Sequence, residues 1–144
     1  MKGKSYNTDE EDPTKNQVNE PDSVYLINTS RHGISFHNFT KITEDSPFDL
    51  NDWSAFLHLS ERTMQRYKKE KKSFDPIHSE KILEIILLYD RGTEVFGSRT
   101  KFNTWLSAKS IALGGTSPKE LLDTTFGIGL IKNELTRIEH GVLA

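Results

Sequence analysis

Residues 102–144 read FNTWLSAKSIALGGTSPKELLDTTFGIGLIKNELTRIEHGVLA, and the rest of the chain is organised around this stretch. Ser117, Pro118 and Glu120 combine two helix-start signals, a serine N-cap with Glu three residues on and proline at the first helical position. The spacing then predicts an amphipathic helix over 127–140. Ile131, Leu135 and Ile138 fall on one stripe, while Lys132, Asn133, Glu134, Thr136 and Glu139 lie mainly on the other side. Gly141 suits the left-handed position that ends such a helix. Val142, Leu143 and Ala144 follow it as a short apolar end with no further helix to bury it.

Upstream, Asp75-Pro76 opens a helix running to about Phe96, ended by Gly97. Its run of Ile82, Leu83, Ile85, Ile86, Leu87, Leu88 and Tyr89 covers nearly every face, which predicts a buried central helix. A further short helix over 98–107 should bury Phe102, Trp105 and Leu106. Before the central helix, Asp49 N-caps a segment with Asp52 in its first turn and Trp53, Phe56 and Leu57 on one face. Leu59 enters a tight connection, and Ser60 is a ready cap for a helix over 61–70 in which Met64 and Tyr67 point inward. Trp53, Leu57, Leu59, Met64 and Tyr67, with small Ser54 at the helix approach, have the apolar spacing of a helix-turn-helix. Two short helices precede it, one over 23–32 carrying Val24, Leu26 and Ile27 and ended by Gly33, the other capped by Ser35 with Phe36, Phe39 and Ile42. Residues 1–22 hold almost no apolar side chains and two prolines, and read as a disordered acidic tail. No alternating strand pattern occurs. The expected fold is all-α, with domains at 1–22 (tail), 23–74 (helix-turn-helix), 75–97 (central helix) and 98–144 (C-terminal domain).

Composition narrows the function. Zero cysteines exclude a disulfide framework and thiolate metal sites. No basic-then-apolar leader appears, and the longest apolar run is too short to span a bilayer, so a cytoplasmic protein with no membrane role is expected. The net charge is −2, but its distribution is uneven. Residues 1–23 hold three lysines against six acids, whereas 58–72 hold six basic residues against Glu61 and Glu70, a local +4. Gly114-Gly115-Thr116-Ser117 lacks the length and the Lys-Ser/Thr ending of a phosphate loop, and capping explains it without a ligand. The histidines are scattered without paired helical spacing, so neither a metal site nor a cofactor is expected. No nucleophile motif or carboxylate pair points to an enzyme.

Phe102, Trp105 and Leu106, then Ala112-Leu113-Gly114-Gly115, Pro118, Glu120-Leu121-Leu122-Asp123-Thr124, Gly127 and Arg137-Ile138-Glu139-His140-Gly141-Val142 form an ordered string of short motifs. In it the chain resembles the C-terminal toxin-binding domain of Xre/MbcA/ParS-type antitoxins, over about the last 45 residues nearly without gaps. His140 stands where that family usually has an aromatic residue. The helix-turn-helix resembles the DNA-binding half of the same family, with His58 in the turn where glycine is common. The resemblance implies a RES-domain, NAD-consuming toxin as partner, its active site covered by this chain's end. The candidate toxin-binding residues are Asn133, Arg137, His140, Gly141, Val142, Leu143 and Ala144.

For DNA, the helix over 61–70 offers Ser60, Arg62, Gln65, Arg66 and Lys69 to base edges or phosphates, with Lys68, Lys71 and Lys72 as phosphate neutralisers. The alternative for this helix is a solvated charged face. Repressors of this build act as symmetric dimers on inverted repeats, so a homodimer on operator DNA is expected. Two rival functions are a stand-alone helix-turn-helix regulator with a dimerising C-terminal domain and a pure inhibitor whose recognition helix is masked.

Overall fold

The computed structural model describes residues 22–141 and holds seven α-helices among them: α1 (Ser23–His32), α2 (Phe36–Thr43), α3 (Leu50–Leu57), α4 (Glu61–Glu70), α5 (Pro76–Phe96), α6 (Arg99–Ser107) and α7 (Thr125–Glu139). Two single 3-10 turns, Ile111–Leu113 and Pro118–Leu121, lie between α6 and α7. The described residues contain no strand, only isolated bridges joining Ser35 to Ser73 and Ser110 to Thr116. The expected tail lies outside the described residues except for Asp22, which precedes α1. No helix among the described residues is long and apolar enough to cross a membrane.

Local chemistry sets the helix starts. Ser35, Ser60, Asp75, Ser98 and Thr124 each accept a hydrogen bond from the backbone N–H three residues on. Each such cap stabilises its helix by about 1 kcal/mol. Asp49 and Asp52 form a reciprocal capping box, each carboxylate accepting the other's backbone N–H at 2.8 and 3.0 Å.

One core cluster runs from Ile34 to Leu135. α5 is its spine and packs against α1, α2, α3, α6 and α7, while α4 reaches the core through α2 and α3. A chain of aromatic rings threads the whole body. Phe39 meets Trp53 edge-on at 5.3 Å, Phe48 bridges Trp53, Phe56 and Tyr89, and Tyr89 passes the contact to Phe102 at 5.5 Å. Each such pair adds about 0.5–1.5 kcal/mol beyond its burial. The ring of Phe102 sits where a Cβ on Gly92 would stand, so α5 and α6 approach more closely there than any other residue permits.

The core differs from the sequence expectation at α5 and at Trp105. α5 is not buried all round, because α1 is too short and too polar to cover it. Ile77 is 77% exposed, and Leu83 and Leu87 are half-covered. Trp105 is also only half-buried, at the end of a stack on Phe102 and Phe96.

The signals at Ser117–Glu120 start one 3-10 turn and no α-helix, and the Ser117 hydroxyl makes no cap. α7, expected over 127–140, spans Thr125–Glu139 and is capped by Thr124. A physical reason is visible at the corner. Gly127 is pressed against the Leu121 carbonyl, where any Cβ would overlap, so the chain turns before the long helix begins. Within α7, Ile131 and Leu135 are buried, whereas Ile138 is half-exposed near the helix end.

Candidate functional site

α3, the turn and α4 form the helix-turn-helix. His58 ends α3 in the left-handed region at φ 57°, a conformation glycine adopts more readily. Leu59 N–H donates to Ser54 O at 3.1 Å, and Ser54 Oγ donates back to the Leu59 carbonyl, which fixes the turn. α4 is anchored inward by Met64, fully buried, and by Tyr67 against Phe74 at 5.5 Å. Its outward side is basic. Arg62, Gln65, Arg66 and Lys69 share one exposed stripe at helical spacing, flanked by exposed Lys68, Lys71 and Lys72. The Arg66 guanidinium lies 5.7 Å from the Tyr67 ring centroid, which steadies it without neutralising it. Lys72 sits 3.8 Å from Glu70, a weak exposed pair. The Ser60 hydroxyl is engaged at the helix start, accepting from Thr63 N–H and bonded to Thr63 Oγ1, both at 3.0 Å. Glu61 is exposed beside it.

At the other candidate site, α7 is clamped to α5 by Arg91, which donates to Thr136 Oγ1 at 2.8 Å and pairs with Glu139 at 3.1 Å. With Gly127, Ile128, Ile131 and Leu135 turned into the core, the opposite stripe faces outward. It runs Phe126, Leu130, Asn133, Arg137 and ends at His140, all exposed. Phe126 is 92% exposed and Leu130 45%, two apolar side chains that the sequence reading missed. The phase of the buried stripe was the available signal, since Phe126 and Leu130 fall on its far side. Arg137 pairs with Glu134 at 3.5 Å. Gly141 takes φ 71°, the left-handed end expected of it. Val142, Leu143 and Ala144 lie outside the described residues.

The two sites are physically joined. The Asp123 carbonyl, just before α7, accepts from Lys81 Nζ at 2.6 Å and from His58 Nε2 at 2.8 Å. The same ammonium donates to the Phe56 carbonyl at 3.0 Å, and Lys119 pairs with Asp52 at 3.0 Å. Burial pushes the Lys81 pKa below its usual value, against the opposing pull of Asp123 and Glu84. His58 therefore replaces the flexibility of a turn glycine with a contact to the segment that opens α7.

Residues 26–86 match the family model of the antitoxin Xre-like helix-turn-helix domain, and residues 91–141 match that of the antitoxin Xre/MbcA/ParS C-terminal toxin-binding domain. The chain belongs to the Xre-type antitoxin family. One match ends at residue 86 and the other begins at 91, both inside α5, so this helix links the two matched regions. "Antitoxin Xre" of Yersinia enterocolitica serotype O:8 / biotype 1B is 31% identical over 87 residues, 60% of this chain and 59% of that protein. "Antitoxin Xre" of Photorhabdus laumondii subsp. laumondii is 28% identical over 105 residues, 72% of this chain and 71% of that protein. The match thus spans less than two thirds of the Yersinia relative's length.

Proposed function

We propose that this antitoxin neutralises a RES-domain, NAD-consuming toxin through the outer face of α7 and the residues after it, and represses its own operon through α4. It acts by binding, not by catalysis. The observation that carries the reading is the unburied stripe of α7. A helix whose core-facing side is already filled has no internal use for an exposed Phe126 and Leu130, and in a domain of the toxin-binding family a protein partner is the natural cover. Asn133, Arg137 and His140 continue that stripe toward Gly141, and Val142, Leu143 and Ala144 would enter the toxin's cleft. There an apolar segment can fill a pocket built for a dinucleotide.

On the DNA side, Arg62, Gln65, Arg66 and Lys69 would meet base edges and phosphates in the major groove. Lys68, Lys71 and Lys72 would neutralise phosphates, with two copies of the chain on an inverted repeat. Ser60 would contribute through its backbone N–H at the helix start, since its hydroxyl is engaged.

The test is co-purification with the toxin encoded beside this gene, using the full chain and a chain lacking residues 142–144. The expected result is a stable complex with the full chain and toxin activity that escapes the shortened one. A shortened chain that still protects cells from the toxin contradicts the role given to the end. A neighbouring gene with no RES domain would favour the stand-alone regulator instead.

A further inference from the structure

The basic face of α4 has little counter-charge of its own. Six cations stand over 61–72 against Glu61 and Glu70. Among the described residues Arg62, Arg66, Lys68, Lys69 and Lys71 make no ion pair, and Lys72 has only Glu70 at 3.8 Å. The chain carries a short polyanion elsewhere. Residues 1–21 hold the run Asp9-Glu10-Glu11-Asp12, four consecutive carboxylates, and join the described fold at Asp22, ahead of α1. The far end of α1 lies beside the segment that leaves α4. Phe36 N–H donates to the Lys72 carbonyl at 2.9 Å and Phe74 N–H to the Ile34 carbonyl at 2.8 Å, and a Cβ on Gly33 would overlap the Phe74 carbonyl. From that end α1 extends along α5 for ten residues, about 15 Å, to Asp22. The ten residues from Asp12 to Asp22 can reach about 33–36 Å when extended, roughly twice the length of α1. The acidic run is therefore within reach of the α4 face.

We propose that Asp9-Glu10-Glu11-Asp12 lies on the basic face of α4 in the DNA-free chain and competes with DNA for it. Carboxylates accept from arginine and lysine much as phosphate oxygens do. Attachment through α1 holds the run near α4 at an effective concentration of about a millimolar. Four charges are few beside a duplex, so DNA displaces the run and the result is a lowered affinity, not a closed site. The groove between α1 and α5 suits the run less well, because its lining sets Glu80 and Glu84 against the single cation Arg31. The inference rests on the reading of α4 as the DNA-binding helix and adds a control on that helix from within the same chain.

The experiment titrates the full chain against duplex DNA from upstream of its gene, by fluorescence anisotropy, as wild type and as Asp9→Asn/Glu10→Gln/Glu11→Gln/Asp12→Asn. At low salt the amide variant should bind about fivefold to tenfold tighter, since an α4 covered most of the time is competent only for the remainder. The difference should shrink as salt rises and screens the internal contact. A control, Glu44→Gln/Glu80→Gln/Glu94→Gln/Glu120→Gln, removes the same charge from exposed acids elsewhere and should gain little. A second measurement needs no DNA. In amide NMR spectra the signals of 61–72 should differ between wild type and the amide variant at low salt and coincide at high salt. Equal DNA affinity for the two chains, a control that gains as much, or unmoved signals from 61–72 overturns the inference. If neither chain binds DNA, the reading of α4 fails instead, and the spectra alone decide whether the contact exists.

Discussion

α4 and α7 are both amphipathic helices held on the same core, and their outward faces differ in kind. α4 shows charge: Arg62, Arg66, Lys68 and Lys69, with one buried anchor at Met64. α7 buries four residues and still shows Phe126 and Leu130 outside. Charge acts over a Debye length and suits a polyanion met at varied registers, whereas exposed apolar surface rewards only a partner that fits it closely. One fold therefore carries a face suited to DNA and a face suited to protein, joined at the Asp123 carbonyl.

The sharpest way to break the comparison is Gly127→Ala. Its Cβ would overlap the Leu121 carbonyl, backbone that cannot step aside. A loss of about 3 kcal/mol is expected, with α7's partner binding failing first. Thermal unfolding checks it, and an unchanged midpoint would show that the corner is looser than described. Next is Phe126→Asp, which leaves the core untouched. It should weaken toxin binding by about 2–3 kcal/mol with DNA affinity unchanged, as calorimetry and a gel-shift titration on the same preparation would show.

Arg66→Ala is the converse. It should cost about 1–2 kcal/mol in operator affinity and reduce the salt dependence, leaving toxin capture intact. Equal affinity for wild type and variant would mean that α4 does not read DNA. The smallest effect is expected at the junction. Lys81→Met removes donors to Phe56 and Asp123 but relieves a partly buried charge, for a net loss of about 1 kcal/mol by chemical denaturation. The folded-state pKa of Lys81 is lowered, so near its usual 10.5 the unfolded chain binds more protons. Wild type should accordingly gain on the variant as pH rises toward that value.

What the sequence made legible was local. The caps at Ser35, Asp49, Ser60 and Asp75 act within one turn, and α4 runs over the residues its spacing predicts. Coverage was not legible. The apolar run of α5 does not say that α1 leaves Ile77 exposed and Leu83 half-covered, and Pro118 does not say that the chain turns again before Thr125. The contacts of Asp123 with His58 and Lys81 span 65 and 42 residues, beyond any periodicity argument. At the candidate sites, the charged stripe of α4 was readable from spacing alone. Phe126 and Leu130 needed the phase of the buried face.

The central claim, that the outer face of α7 silences a toxin, is tested most directly by NAD consumption. A RES-domain toxin would be titrated with wild type and with Phe126→Asp/Leu130→Asp, the latter first shown to melt and to bind DNA as wild type does. The account predicts that wild type stops NAD loss at a fixed stoichiometry and the double variant does not. Full inhibition by the double variant would contradict it.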